Sequence, residues 1–280
     1  MFEQKKAASF DWSQVFCRCL FDFFHLKISI VTVVFNNRDT IEAAIQSVLA
    51  QTHREIELIV IDGGSTDGTR EVLARYESSI AILVSEPDDG IYHALNKGID
   101  LASGEAIGFL HSDDLFADNF AIERVVSALA DPTVDAAYGD LVYVRKLDPT
   151  RVVRYWRASA YRPELLRRGW MPPHPTFYAR RALYRRHGGF EVSLRIAGDY
   201  DCMLRFLVAG AKIAYIPQVQ VRMRTGGTSN RSIGNIIRKS VEDYTALRRN
   251  RVGGMVALFR KNISKLPQFF RRNMSTDQGN

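Results

Sequence analysis

The chain has 280 residues, 46% of them hydrophobic and 11% aromatic, enough to bury a sizeable core in one large α/β domain with additions and to put it in the soluble globular class. No run reaches the roughly 18 apolar residues of a membrane span, and the start, MFEQKKAASFDWSQ, lacks the apolar core of a signal peptide, so a cytoplasmic protein is expected. The net charge of +7 is unevenly spread: Arg222 to Arg272 hold 13 Lys and Arg against 2 acidic residues, so the basicity is a C-terminal feature.

Residues 1–27 place Trp12, Phe16, Cys19, Leu20, Phe23 and Phe24 at helical spacing, with Asp11, Gln14, Arg18 and Asp22 mostly opposite. An amphipathic appendage is expected there, docked on the core, a membrane or a partner. Cys17, Cys19 and Cys202 are an odd set without zinc-ligand spacing and read as packing residues in a reducing compartment. The domain proper opens with ISIVTVVF, Ile28 to Phe35, an unbroken β-branched run suited to a strand buried on both faces. Asp39 with Glu42 suggests a capping box, and Ile41, Ile45, Val48 and Leu49 form the stripe of a covering helix.

IELIVID ends a second strand at Asp62 and passes into GGSTDGT, where Ser65, Thr66 and Asp67 can cap the next helix. ILVSEP gives a third strand, Gly90 to Ala102 a helix, and AIGFLHSDDLF a fourth strand that turns abruptly acidic at Asp113 and Asp114. Alternating strands and helices predict right-handed crossovers and a parallel sheet whose strand ends open on one edge. Thr32 to Asn36, Asp62 and the Asp113/Asp114 pair would meet there. That line of groups suits a base, a ribose and a diphosphate carried by Mg²⁺ or Mn²⁺, which prefer hard oxygen ligands. The alternative for the acidic pair is a cap on a helix beginning near Asp118. Walker and GxGxxG spacings are both absent.

The second half is less regular. LVYVRKL and VVRYWRA flank DPT as a hairpin with Pro149 and Thr150 in the turn. MPPHPTFY can hold His174 in a rigid extended segment, either packed against prolines or facing a ligand, before a helix RRALYRRHGGF closed by Gly188 and Gly189. Gly198 precedes a helix whose buried stripe is Met203, Leu204, Leu207 and Val208, which puts Asp199 in the first turn facing the crevice and turns Asp201 away toward Arg205.

VVFNNRDTIEAAIQSVLAQTHREIELIVIDGGSTDGT, SEPDDGIYHALNKGIDLASGEAIGFLHSDD and AGDYDCMLRFL together resemble the family 2 glycosyltransferases, nucleotide-sugar enzymes of the GT-A fold, from about Ile28 to about Ser229. The SEPDDGIYHALNKGI segment is similar to a bacterial branch that builds cell-surface polysaccharides and glycolipids. The resemblance implies that Asp62 hydrogen-bonds the uracil of a UDP-sugar, that Asp113 is the last acid of a DxD metal motif, and that Asp199 is the general base. Thr32, Phe35, Asn36, Asp62, Asn96, Ser112 and Asp113 then form the nucleotide-binding set, Asp113 and Asp114 the Mn²⁺ or Mg²⁺ ligands, and His111 and His174 contacts to diphosphate or acceptor. Two positions depart from the family pattern: His111 stands where the first Asp is usual, and Gly198 replaces the Glu of a Glu-Asp pair.

These parts imply inverting transfer of a sugar from a nucleotide-diphosphate sugar to a saccharide or lipid-linked acceptor, with Asp199 taking the acceptor proton. The other classes weighed are a non-catalytic nucleotide-sugar binding module, favoured by His111 and Gly198, and a nucleotidyltransferase, disfavoured because NNRDT is no triphosphate loop. A processive synthase lacks support without QxxRW or a channel, and nucleic-acid binding lacks a reading motif. The expected division is an appendage over 1–27, a GT-A domain over 28–229 with a nucleotide-sugar half at 28–115 and an acceptor half at 116–229, and a basic helical extension over 230–280. That extension breaks near Gly253 and Gly254. It carries Val252, Met255, Val256, Leu258, Phe259, Ile263, Leu266, Phe269 and Phe270 among Arg248, Arg249, Arg251, Arg260, Lys261, Lys265, Arg271 and Arg272. Such a composition suits a helix in the interface of an anionic membrane, which would make the protein peripheral on the inner face; the alternative is docking on the core.

Overall fold

The computed structural model describes residues 26–226 and 233–263; nearly all of the 1–27 appendage, residues 227–232, and Lys265, Leu266, Phe269, Phe270, Arg271 and Arg272 of the extension lie outside them. The first half runs β1 (Ile28–Val34), α1 (Arg38–Leu49), β2 (Ile56–Asp62), α2 (Thr69–Ala74), β3 (Ile82–Ser85), α3 (Ile91–Leu101) and β4 (Ala106–Phe109). β1 is buried along its whole length, because helices cover both faces of the sheet at that point. Ile41, Ala44, Ile45 and Val48 of α1 pack with Ile28, Ile30 and Val60, while Ala94, Leu95 and Ile99 of α3 pack with Val31, Val33 and Ile59. Leu49, expected in the buried stripe of α1, is exposed. The capping box expected from Asp39 and Glu42 does not form: Asn37 precedes the helix without a side-chain cap, and Glu42 instead accepts from Tyr76 and pairs with Arg75.

The second half adds β5 (Leu115–Phe116), α4 (Ala121–Ala128), β6 (Ala136–Val144), β7 (Val152–Trp156), β8 (Tyr178–Arg180), α5 (Arg181–His187), α6 (Gly198–Val208), β9 (Ile213–Arg224), α7 (Ile233–Arg249) and α8 (Met255–Ile263). Among the described residues the strands form one sheet in the order β3-β2-β1-β4-β8-β6-β9-β5, with β7 paired to β6. β1, β2, β3 and β4 are parallel, as expected. Beyond β4 the sheet is mixed: β8 is antiparallel to both β4 and β6, and β6 is parallel to β9. The β6/β7 hairpin forms as read, its turn tied by the Thr150 N–H and hydroxyl donating to Asp148 Oδ1.

α7 and α8 pack against α6, with Ala246, Leu247, Ala257 and Leu258 meeting Ala197, Tyr200, Leu204 and Leu207. This corrects part of the reading of the extension. Leu258 and Lys261 face inward, and Lys261 Nζ sits 2.6 Å from Asp243 Oδ1 and 3.1 Å from the centroid of the Tyr200 ring. A charge can be buried there because a carboxylate and a ring face replace its water. Val208, expected in the stripe of α6, is exposed near its end.

Candidate active site

The carboxyl ends of β1, β2 and β4 open on one edge because the three strands are parallel. Register places Val34 beside Asp62 and Val31 beside Phe109, so the residues that follow each strand meet. Phe35 is 64% exposed at this mouth. Asn36 adopts a left-handed backbone with φ of 47°, a conformation that Asn tolerates better than most side chains. Its N–H donates to Ser65 Oγ and its Oδ1 accepts the Thr66 N–H, joining the end of β1 to the GGSTDGT loop. Asp62 is fully buried at the end of β2 and accepts from the Ser65 N–H and, at 2.6 Å, from the Ser85 hydroxyl. Asn37 Nδ2 donates to Ser112 Oγ, linking β1 to the acidic turn after β4. Thr32 lies deeper, 1% exposed and paired with Val60 within the sheet.

The acidic turn divides its two carboxylates. Asp113 stays half-buried. Asp114 is fully buried, with Oδ1 accepting the Arg224 N–H at 3.1 Å, while Arg224 Nη1 donates to the Asp113 carbonyl at 2.9 Å. Burial, and then the neighbouring charge of Asp113, pushes the Asp114 carboxyl well above the ordinary range. Of the two carboxylates expected as metal ligands, Asp114 faces β9 inside the protein and Asp113 keeps an accessible carboxylate. The helix expected near Asp118 starts at Ala121, with Asp118 Oδ1 accepting the Phe120 N–H.

Behind the turn stands an aromatic group. His174 stacks on Phe109 at 5.4 Å, meets Phe190 edge-on at 5.6 Å, and lies 5.9 Å from the His111 ring. It occupies a short 3-10 turn, His174–Thr176, and not the extended segment expected, because the Thr176 and Phe177 N–H groups fold back onto the Pro173 and His174 carbonyls. Burial lowers His174 to about 4, with the charge of Asp199 opposing and that of His111 adding. Burial likewise lowers His111, against the raising charges of Asp113 and Asp199. Both imidazoles are therefore neutral at pH 7, and His174 Nε2 is buried without a hydrogen-bond partner.

Asp199 lies in the first turn of α6, half-buried, with Oδ1 accepting the Tyr200 N–H at 2.8 Å. Its charge is felt at His111, at His174 and at Tyr92, whose hydroxyl is raised chiefly by burial and then by Asp199. Asp201 turns away as expected, its carboxylate held by Arg205 Nε and by Asn250 Nδ2, both at 3.0 Å. Asn96, expected among the nucleotide contacts, has its Nδ2 donating to the Phe190 carbonyl and its Oδ1 accepting the Phe190 N–H, so both ends hold the backbone that carries the aromatic group.

Three residues were not singled out from the sequence. Tyr92 sits against the start of α6, where a Cβ on Gly198 would come within 2.8 Å of its ring; the space that a larger residue would need at Gly198 is filled from α3. Arg224 fixes the acidic turn from β9, and Glu242 reaches the segment before α6 from α7. Tyr92 lies within SEPDDGIYHALNKGI and was visible as part of that motif. Arg224 and Glu242 carried no local signal, being more than a hundred and more than forty residues from the groups they hold.

Asp113 offers one carboxylate beside a neutral imidazole at the mouth of the crevice. That donor set fits Mg²⁺ or Mn²⁺, which bind through one or two carboxylates together with substrate phosphates and water. Among the described residues no cluster of three His, Cys, Asp or Glu is arranged to hold a metal by itself, so the diphosphate would have to complete the coordination.

Residues 29–188 match the model of Glycosyl transferase family 2. The chain is similar to the uncharacterized glycosyltransferase Rv1514c of Mycobacterium tuberculosis (strain H37Rv), 34% identical over 183 residues, 64% of this chain and 68% of that protein. It is 26% identical over 243 residues to a PGL/p-HBAD biosynthesis glycosyltransferase of Mycobacterium bovis (strain BCG), covering 85% of this chain and 92% of the relative. The fold is shared with S. aureus TarS 1-349 in complex with UDP-GlcNAc, at a TM-score of 0.63 and 16% identity over 88% of this chain and 72% of that one.

Proposed function

The chain belongs to Glycosyl transferase family 2 and has the GT-A architecture, and from that premise we propose that it is an inverting glycosyltransferase. It moves a sugar from a nucleotide-diphosphate sugar, a UDP-sugar, to a saccharide or lipid-linked acceptor in bacterial surface polysaccharide or glycolipid synthesis. The observation that carries this reading is the neighbourhood of Asp199, His111, His174 and Asp113 at the open ends of parallel strands. The UDP-GlcNAc bound by a protein of the same fold supports the donor class, and the PGL/p-HBAD biosynthesis relative supports a glycolipid setting.

In this reading Phe35, Asn36 and Asp62 meet the nucleoside, and Asp113 faces the diphosphate. Asp113 would hold the Mg²⁺ or Mn²⁺ ion, which when bound neutralises charge on the nucleotide diphosphate. Asp199 accepts the proton of the acceptor hydroxyl as its oxygen attacks the anomeric carbon. The bond to the diphosphate breaks on the opposite side, and a single displacement of this kind inverts the anomeric centre. His174, buried, and His111, half-buried, are both neutral and stand by the site without competing for that proton. His174 Nε2 is buried without a hydrogen-bond partner, so it would contact an acceptor or diphosphate oxygen only if the turn that carries it shifts.

The surface of α8 supports a peripheral membrane location. Its inner side docks through Ala257 and Leu258, but Met255, Val256 and Phe259 are each about two-thirds exposed beside Arg251 and Arg260. Among the described residues no helix is long and apolar enough to cross a membrane. Apolar side chains ringed by cations on an outer helix face match the chemistry of an anionic leaflet.

Thermal shift with Mn²⁺ against UDP-glucose, UDP-galactose and UDP-N-acetylglucosamine should identify a donor, since a ligand of the native state raises apparent stability by mass action. With that donor the wild type should slowly release UDP. Asp199→Asn should abolish this release and any transfer while leaving Mn²⁺-dependent UDP binding nearly intact. Loss of UDP binding in Asp199→Asn would sink the base assignment, and absence of UDP release by the wild type would favour a non-catalytic binding module.

A further inference from the structure

Asp199 is held by residues of the C-terminal helices at positions on both sides of it. On its amino-terminal side, the Glu242 carboxylate of α7 accepts three consecutive backbone N–H groups, from Arg195 at 3.1 Å, Ile196 at 2.7 Å and Ala197 at 3.0 Å. These amides lie just before α6, where backbone donors have no helical partner, and a carboxylate there also suits the positive end of the helix dipole. The Ile196 carbonyl in turn accepts the Tyr92 hydroxyl at 2.8 Å. The segment is therefore gripped from α7 and from α3 two residues before Asp199 begins.

On the carboxyl-terminal side, Tyr200 lies under Lys261 of α8, which is paired to Asp243, the residue after Glu242. Asp201 is held in part by Asn250, in the connection between α7 and α8. Gly198 itself brings no side chain to this junction, and Tyr92 fills its place. Charge-assisted hydrogen bonds to a carboxylate are about twice as strong as neutral ones, so Glu242 is the strongest single hold on the start of α6.

We propose that Glu242 is a positioning residue for the general base: by fixing the backbone from Arg195 to Ala197 it sets where the Asp199 carboxylate stands in the crevice. The C-terminal helices are then part of the catalytic apparatus. This inference rests on the assignment of Asp199 as base. The nucleotide contacts lie on β1, β2 and β4 and do not depend on Glu242, so its removal should separate turnover from nucleotide binding.

The test uses the full chain with the UDP-sugar selected by thermal shift. Glu242→Ala should slow Mn²⁺-dependent UDP release on the order of 10- to 100-fold, the range expected when a reacting group is displaced by about 1 Å. UDP affinity should stay within about two-fold of wild type, because turnover and not binding is addressed. Glu242→Gln, which keeps the volume and one carbonyl acceptor, should recover part of the rate and covers the case in which the alanine variant fails to fold. Hydrogen exchange at the Ile196 and Ala197 amides should accelerate about 10-fold or more in the variants, reflecting local opening.

Unchanged exchange at those amides, or a fall in UDP affinity in step with the rate, would overturn the proposal. UDP release lost in Asp199→Asn but unaffected in Glu242→Ala marks failure of this inference alone. Release surviving in Asp199→Asn marks failure of the base assignment beneath it.

Discussion

Asp113 and Asp114 are adjacent in the chain yet meet different solvents. The backbone turn that leaves Asp113 at the crevice sends the next side chain into the protein, where the Arg224 N–H takes one oxygen and no hydrogen-bond partner takes the other. A carboxyl raised by burial in this way favours its neutral form, which is a poor metal ligand. Asp114→Asn, its uncharged isostere, should therefore keep Mn²⁺-dependent UDP binding. Asp114→Ala should cost roughly 1–3 kcal/mol of stability by stranding the Arg224 N–H. Asp113→Ala, by contrast, should weaken metal-dependent UDP binding with little change in stability. Titration of UDP with and without Mn²⁺ and chemical denaturation of the three variants separate these roles. Metal dependence lost in Asp114→Asn, or unchanged in Asp113→Ala, would return the ligand role to Asp114.

In the proposed mechanism the deciding element is α6, and its start is defined by what fits against it. Tyr92 of α3 lies so near Gly198 that an added Cβ would stand 2.8 Å from the ring, closer than carbon atoms approach in folded proteins. Gly198→Ala should therefore shift α3 against α6, costing about 1–3 kcal/mol as overpacked substitutions do, and should lower turnover with Asp199 still present. Replacing Tyr92 by Leu in the same chain relieves the contact, so the double variant should be more stable than the two single losses predict, a coupling that denaturation of all four proteins measures. Strict additivity would mean that the ring and the glycine are independent. His174 likewise sits in a turn closed by the Thr176 and Phe177 N–H groups and packed on Phe109 and Phe190, not in the extended segment that the three prolines suggested.

At the scale of the whole molecule the basic extension has two faces, one packed on the core and one exposed. Its inner face is committed to α6 through Ala257, Leu258 and Lys261, so deleting the extension would disturb the site as well as the surface. The outer face can be altered alone. A triple substitution Met255→Ser, Val256→Ser and Phe259→Ser should leave folding intact, since each side chain is about two-thirds exposed. It should reduce cosedimentation with phosphatidylglycerol-containing vesicles, and high salt should release the wild type, because each Lys or Arg near an anionic leaflet contributes on the order of 1 kcal/mol within a Debye length. Equal binding of both proteins, or none by wild type, would remove the membrane reading.

Hydrophobic pattern and turn chemistry carried the first half of the fold. The β-branched run of β1, the Asp62 and Asp113 strand ends and the Gly90 to Ala102 helix all follow from local periodicity, because a parallel strand buried on both faces has to be apolar throughout and polar groups can appear only where it ends. The same logic placed Asp199 in the first turn of its helix and tied Asp201 to Arg205, an i to i+4 contact written in the sequence. What periodicity could not supply is any partner far away in the chain. That Asp114 turns inward was decided by Arg224 on β9, that Asn96 serves backbone by Phe190, and that Lys261 is buried by Asp243 and Tyr200. Each of these depends on two distant elements meeting at hydrogen-bonding distance. Local sequence encodes the tendency of each element to form, but only the closed packing of α3, α6 and α7 brings Glu242 to the three amides that set the position of Asp199.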